Sequence, residues 1–227
     1  MLKAENITKI YGAGETACTA LNNVSISIGD ADIIAITGQS GSGKSTLINV
    51  LSGLDIPTDG KVYFNSEDIT ALSEKKRTDL RLKSFSFVFQ DFYLISTLNV
   101  HENIILPSRY KNKKYDKEFF EKLTTECGIS DKLLNYPHEL SGGEQQRVAI
   151  CRALLMKPDI IFADEPTGNL DSVNSGKVFE LLISYAKENS YCLVYVTHEE
   201  KYALLADRRI IVSDGKCIEA ETENGHA

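Results

Sequence analysis

No run of apolar residues in this 227-residue chain is long enough to cross a bilayer. A spanning helix needs roughly 18–20 of them, and the longest runs here, such as Ile33 to Ile36 and Ile160 to Ala163, have the length of buried strands. The start, Met1-Leu2-Lys3-Ala4-Glu5-Asn6, lacks a basic segment followed by an apolar one, so no secretory signal is expected. The chain should be soluble by itself and reach a membrane only through a partner. Positive charge is also short. Twenty-five Lys and Arg stand against 32 Asp and Glu, a net charge of −7, which argues against a nucleic-acid binder with a basic surface. The five cysteines, Cys18, Cys127, Cys151, Cys192 and Cys217, include no C-x-x-C pair and no Cys/His cluster that suggests zinc. An odd, scattered set reads as reduced thiols in a reducing compartment. Repeats, low-complexity segments and long linkers are absent.

What is present is an ordinary core composition, 42% hydrophobic and 25% charged, and alternating strand and helix patterns. Val24, Ile26 and Ile28 recur with strand period. Ile33 to Ile36, Phe85 to Phe89, Ile160 to Ala163 and Cys192 to Val196 read as strands. Continuous apolar strands of this kind are buried on both faces of a parallel sheet. Helices are expected from Lys44 to Leu54, after Ser73 and from Val173 to Asn189. Ile210 to Val212 and Lys216 to Glu219 read as a hairpin across Asp214-Gly215, and Pro57 to Gly60 as a turn before a strand from Lys61 to Phe64. About 91–156 looks like a helical insertion broken by Pro107, Gly128 and Pro137. The fold expected is α/β, with a mainly parallel core sheet, a small antiparallel β-subdomain and an inserted helical subdomain. All of 1–227 forms one domain, with a loose tail at 221–227.

Gly38-Gln39-Ser40-Gly41-Ser42-Gly43-Lys44-Ser45-Thr46 matches the phosphate-loop pattern G-x-x-x-x-G-K-[ST], with a buried strand before it and a helix after it. Its glycines let backbone N–H groups converge on a phosphate, and the helix start adds positive partial charge. Lys44 reaches the β- and γ-phosphates. Two opposite unit charges about 4 Å apart are worth roughly 4 kcal/mol at an effective dielectric near 20. The Ser45 hydroxyl would ligate Mg²⁺. Strand Ile160 to Ala163 ends in Asp164-Glu165, where an Asp beside a phosphate loop holds the Mg²⁺ shell and a following Glu can accept a proton from an attacking water.

Ser141-Gly142-Gly143-Glu144 opens another helix. Ser141 and Glu144 suit a capping box, but two glycines in a first helical turn cost about 1 kcal/mol each relative to alanine. Their use would be open N–H groups, a second anion site. One nucleotide loop and a second phosphate-directed helix end suggest two copies facing each other, each phosphate held by Lys44 of one and Ser141-Gly142-Gly143 of the other.

At Leu140-Ser141-Gly142-Gly143-Glu144-Gln145-Gln146-Arg147 the chain resembles the nucleotide-binding subunits of ABC transporters, and the resemblance runs from about Leu2 to Glu219. Ala20 to Ser25, Phe87 to Phe92 and Glu165 to Ser172 resemble more narrowly the subfamily of macrolide exporters, lipoprotein-release systems and antimicrobial-peptide-resistance pumps. The resemblance implies that Tyr11 stacks on adenine and that Gln90 touches Mg²⁺ and water and senses the membrane partner. It likewise implies that Gly168 to Asp171 aligns two subunits and that His198 contacts the γ-phosphate. It implies ATP and Mg²⁺ as cofactors, a homodimer in the ATP state, a separate transmembrane permease, no nucleic acid, and a place on the cytoplasmic face of the cell membrane. A non-transport ATPase is disfavoured because no coiled-coil insertion and no second cassette is present. A motor driving a membrane regulator, as in cell division, is the alternative. The departures are Gln39 where proline is common, Cys151 where alanine is usual, and Gly29-Asp30-Ala31-Asp32 where the family has glutamate after the glycine. Asp30 keeps that charge. His101 and His138 read as surface residues. The basic run Arg109 to Lys117 reads as a solvated loop, with anionic lipid or the partner as the other possibility.

Overall fold

A computed structural model describes residues 1–110 and 114–220. Lys111, Asn112 and Lys113 of the basic run, and the tail at 221–227, lie outside the described residues.

The strands are β1 (Leu2–Tyr11), β2 (Cys18–Ile28), β3 (Ile33–Thr37), β4 (Asp59–Phe64), β5 (Glu67–Asp68), β6 (Phe85–Phe89), β7 (Ile160–Asp164), β8 (Cys192–Val196), β9 (Arg208–Ser213) and β10 (Lys216–Ala220). The helices are α1 (Lys44–Leu51), α2 (Glu74–Ser84), α3 (Val100–Tyr110), α4 (Lys117–Glu126), α5 (Gly142–Leu154), α6 (Ser172–Asn189) and α7 (Glu200–Ala203). They build two sheets. A six-stranded sheet has the order β10-β9-β3-β8-β7-β6, parallel except for the β9–β10 hairpin. A four-stranded antiparallel sheet has the order β2-β1-β4-β5.

Side-chain alternation along the parallel strands divides the core. Ile33 and Ala35, Ile161 and Ala163, and Leu193 and Tyr195 pack with α3, α4, α5 and α6 on one face. Ile34 and Ile36, Ile160 and Phe162, and Cys192, Val194 and Val196 pack with α1 and the antiparallel sheet on the other. Both faces are therefore apolar, and each strand reads as an unbroken apolar run.

Several expectations are corrected. α1 ends at Leu51 rather than Leu54, because the chain turns at Gly53 with φ +66°. β4 begins at Asp59, inside the expected turn, where Asp59 pairs with Thr8. Pro107 does not break the insertion; it lies within α3. Proline removes a single donor there, while Val100, Ile104 and Ile105 remain buried in the core that α5 shares. His101 is not an isolated surface residue: its ring lies 5.2 Å from that of Phe120, and Nε2 is 3.1 Å from the Tyr115 hydroxyl. At the turn before β3, Asp32 rather than Asp30 carries the organising charge. It accepts from Gly29 N at 2.8 Å and pairs with Arg208, and Ala31 between them is left-handed.

Candidate functional site

Four segments reach the carboxyl ends of adjacent parallel strands: the loop at 38–43 after β3, Gln90 after β6, Asp164-Glu165 at the end of β7, and His198 after β8. Ligands of open α/β sheets bind along this edge.

Around the loop lies a cleft of about 500 Å³ lined by Ser40 to Thr46, Tyr11, Cys18, Thr19, Ala20, Glu165, Asp214 and Gly215. Gly38 and Gly43 adopt φ +147° and +111°, in the region that favours glycine. The N-cap of α1 is Gly43, which has no side chain to bond the helix's first amides, so these N–H groups remain available to an anion. Lys44 is buried at 5% exposure, and its ammonium donates to the carbonyls of Gly38 at 3.1 Å and Gln39 at 2.8 Å. Tyr11 ends β1 at the cleft rim, 41% exposed. Its hydroxyl donates to Asp55 at 2.8 Å, and the Lys9 ammonium, itself 2.7 Å from Asp55, lies 4.9 Å from the ring centroid. The ring is thus held at edge and face.

A second cleft, about 200 Å³, joins Ser45, Gln90, Asp91, Asp164 and Glu165. Asp164 Oδ1 is buried without a hydrogen-bond partner. Burial pushes its carboxyl above the ordinary range; the Ser45 hydroxyl pulls it back, and the Glu165 charge pushes it further up. Hydroxyl, carboxylate and amide oxygens here suit a hard divalent cation such as Mg²⁺. Among the described residues no group of three His, Cys, Asp or Glu could hold a metal, so such a cation would take further oxygens from water or a bound phosphate. Glu165 is left-handed at φ +47°, and its Oε1 lies 2.5 Å from His198 Nε2.

Ser141 forms the capping box that its spacing suggests. Glu144 Oε2 accepts from Ser141 N and Oγ, each at 2.8 Å, and the Ser141 backbone N–H is the main cause holding the Glu144 carboxyl below its usual range. Packing adds a reason for one of the two glycines: a Cβ at Gly143 would lie 2.9 Å from the Asn174 amide, whereas at Gly142 it would meet only ordinary contacts. Asp171 bonds Asn174 twice, at 3.0 and 2.6 Å, at the start of α6. None of Ser141, Gly142, Gly143, Glu144 and Asp171 lines the cleft around the phosphate loop of its own chain.

Three features escaped the sequence. Asp55 and Lys9 fix Tyr11. Asn169 grips Gln90. Arg152 of α5 donates to the carbonyls of Phe92 and Tyr93 at 2.7 and 2.6 Å, tying the left-handed turn after Gln90 to the helix that follows Ser141. Asn169 lies in the Gly168 to Asp171 loop that the sequence marks; Asp55 and Arg152 bond partners 44 and about 60 positions away, and no local pattern marks them.

The sheet and these clefts define a P-loop nucleoside-triphosphate hydrolase with an inserted helical segment. The family model described as ABC transporter matches residues 21–168. The uncharacterized ABC transporter ATP-binding protein MJ1508 of Methanocaldococcus jannaschii is 44% identical over 96% of this chain and 98% of its own length. The lipoprotein-releasing system ATP-binding protein LolD of Aquifex aeolicus is 44% identical over 96% of both chains. The macrolide export ATP-binding/permease protein MacB of Chlorobaculum tepidum is 39% identical over 96% of this chain but only 34% of that protein. A dimeric structure of the ATP-binding cassette MJ0796 in a post-hydrolysis state with ADP and Pi superposes with a TM-score of 0.89 at 38% identity, covering 99% of this chain and 100% of that one. The chain belongs to the ABC transporter family and is an ABC-type ATPase.

Proposed function

We propose that two copies of this chain close around two ATP molecules, and that closure and hydrolysis drive a separate membrane permease in the export or extraction of a peptide, lipid-linked or drug-like substrate. The observation that carries the dimer is positional. A helix N-terminus is suited to an anion, and the one at Ser141-Gly142-Gly143 does not line its own chain's phosphate cleft. A second copy brings it to the phosphate. The related MJ0796 cassette is a dimer, and the substrate class follows the names of the lipoprotein-releasing and macrolide-export relatives.

In this reading Tyr11 stacks on the base, Gly38 to Thr46 wrap the phosphates, and Lys44 neutralises them. Ser45, Asp164 and Gln90 would hold Mg²⁺, which when bound supplies charge to the phosphate oxygens. Glu165 takes the proton of the attacking water, and His198 contacts the γ-phosphate while holding Glu165. Ser141, Gly142, Gly143 and Glu144 complete the partner's site, and Asp171 stands where the two copies meet. The permease would dock in an apolar groove of about 370 Å³ beside the Arg152 clamp, with Leu54, Phe87, Phe89, Tyr93, Pro107 and Met156 among its walls. A cytoplasmic segment of that partner seated there reaches Gln90 through one turn of chain. No helix among the described residues is long and apolar enough to cross a membrane; in this reading the chain sits on the cytoplasmic face through its permease.

Glu165→Gln tests this. With saturating ATP and Mg²⁺ the variant should elute as a dimer by size exclusion, since binding continues while hydrolysis stops. A variant that binds ATP yet remains monomeric refutes the shared site.

A further inference from the structure

The loop after Glu165 reaches back onto Gln90 of the same chain, and we propose that Asn169 is a positioning residue that decides which end of the Gln90 amide faces the cation cleft. Two groups beside Asn169 can only accept hydrogen bonds: the Gln90 carbonyl, 3.1 Å from Nδ2, and the Asp91 carboxylate, 3.3 Å from it. Only the amide nitrogen of Asn169 can serve both. Its Oδ1 is therefore turned to the Gln90 side chain, where it must accept. Gln90 meets it with Nε2, at 3.1 Å. The other end, Oε1, is left for the cleft shared with Ser45 and Asp164. A hard cation takes oxygen and not amide nitrogen, so the flip state of this amide decides whether Gln90 is a ligand at all. Gly168 closes the arrangement: a Cβ there would lie 2.6 Å from Gln90 Nε2. This is a role within one chain, distinct from alignment of two subunits, and it rests on the reading of Gln90 as a contact to the metal.

The probe is Mn²⁺, followed by electron paramagnetic resonance on the full chain with a non-hydrolysable ATP analogue. Loss of an outer-shell partner typically costs 10–100-fold in metal affinity, so Asn169→Ala should weaken Mn²⁺ binding by about tenfold. Gly168→Ala, which crowds Nε2 with Asn169 intact, should act in the same direction. Binding of the analogue without metal should match the parent. The double variant with Gln90→Ala should be no weaker than Gln90→Ala alone, since both changes remove one ligand. If Gln90→Ala weakens Mn²⁺ binding and neither Asn169→Ala nor Gly168→Ala does, the positioning role is overturned while Gln90 stands as a ligand. If Gln90→Ala itself changes nothing, the reading beneath it falls, and the inference with it.

Discussion

His198 Nε2 and Glu165 Oε1 meet at 2.5 Å, bridging the ends of two neighbouring parallel strands, β8 and β7. The contact holds Glu165 where its backbone is left-handed. A non-glycine residue there costs on the order of 1–2 kcal/mol, and strain of this kind collects at functional sites.

The pair should behave as a unit in hydrolysis. A positioned proton acceptor typically contributes 10²–10⁴-fold. Glu165→Gln is expected to lower kcat by about that factor and His198→Ala by a comparable one. The double variant should be no slower than the worse single, because groups acting together are not additive. Steady-state phosphate release at saturating ATP measures it, and multiplicative losses would separate the two roles.

Ser141 caps α5, and one substitution can divide that from the proposed contact with a partner's phosphate. Aspartate is as good an N-cap as serine, but it cannot donate to Glu144 as the Ser141 hydroxyl does. Combined with Glu144→Gln, whose amide can bond it, Ser141→Asp should keep α5 and melt within a few degrees of Glu144→Gln alone. Ser141→Asp also sets a negative charge where a partner's phosphate would lie, and ATP-induced dimerisation of the Glu165→Gln background should vanish. Retained dimerisation would leave Ser141 a cap and no more.

Tyr11 should act through its ring. Base–aromatic stacking is worth roughly 1–3 kcal/mol, or about 5- to 150-fold, so Tyr11→Ala should raise KM for ATP within that range with little change in kcat. Tyr11→Phe keeps the ring but loses the Asp55 bond, and its KM should rise only a few-fold. Initial rates over a range of ATP distinguish the two.

Glu74 ties the start of α2 to Arg81 and Arg77, which together lower its carboxyl from 4.5 to about 2, Arg81 contributing most. A depressed carboxylate stabilises the fold fully above its unfolded value and loses that contribution as pH falls through the folded one. The melting-temperature difference between the parent and Glu74→Gln should therefore be constant above about pH 5 and shrink between about pH 4.5 and 2. The side chain is exposed, so the plateau should be small and fall with added salt.

Much of the architecture can be read from the chain because the parallel sheet is covered on both faces. Cys192–Val196 stands out as an apolar run and Phe85–Phe89 as an aromatic-rich one interrupted only by Ser86, and their limits coincide with β8 and β6. The phosphate loop is equally legible, since its geometry needs glycine at fixed offsets. What stayed hidden is contact between distant segments. Pro107 reads as a break until the core beneath α3 is seen. The second glycine after Ser141 has a packing reason as well, which emerges only when Asn174 is found 2.9 Å from where its Cβ would stand. Asn169 and Gln90, 79 positions apart, leave no periodic trace.

Gly38 and Gly43 are boxed in by main chain from opposite ends of the protein: a Cβ on the first would strike the Val212 carbonyl at 2.1 Å, and on the second the Ala20 carbonyl at 2.3 Å. The nucleotide receptor is thus shaped by β2 and by β9, strands far apart in the sequence. The receptor needs both strands in place, and ATP at a hundredfold excess over Kd would add about 2.7 kcal/mol of protection to the fold that has them. Nucleotide would then act as a seal across strands distant in the sequence, sparing the closed fold from proteases that take opened ones.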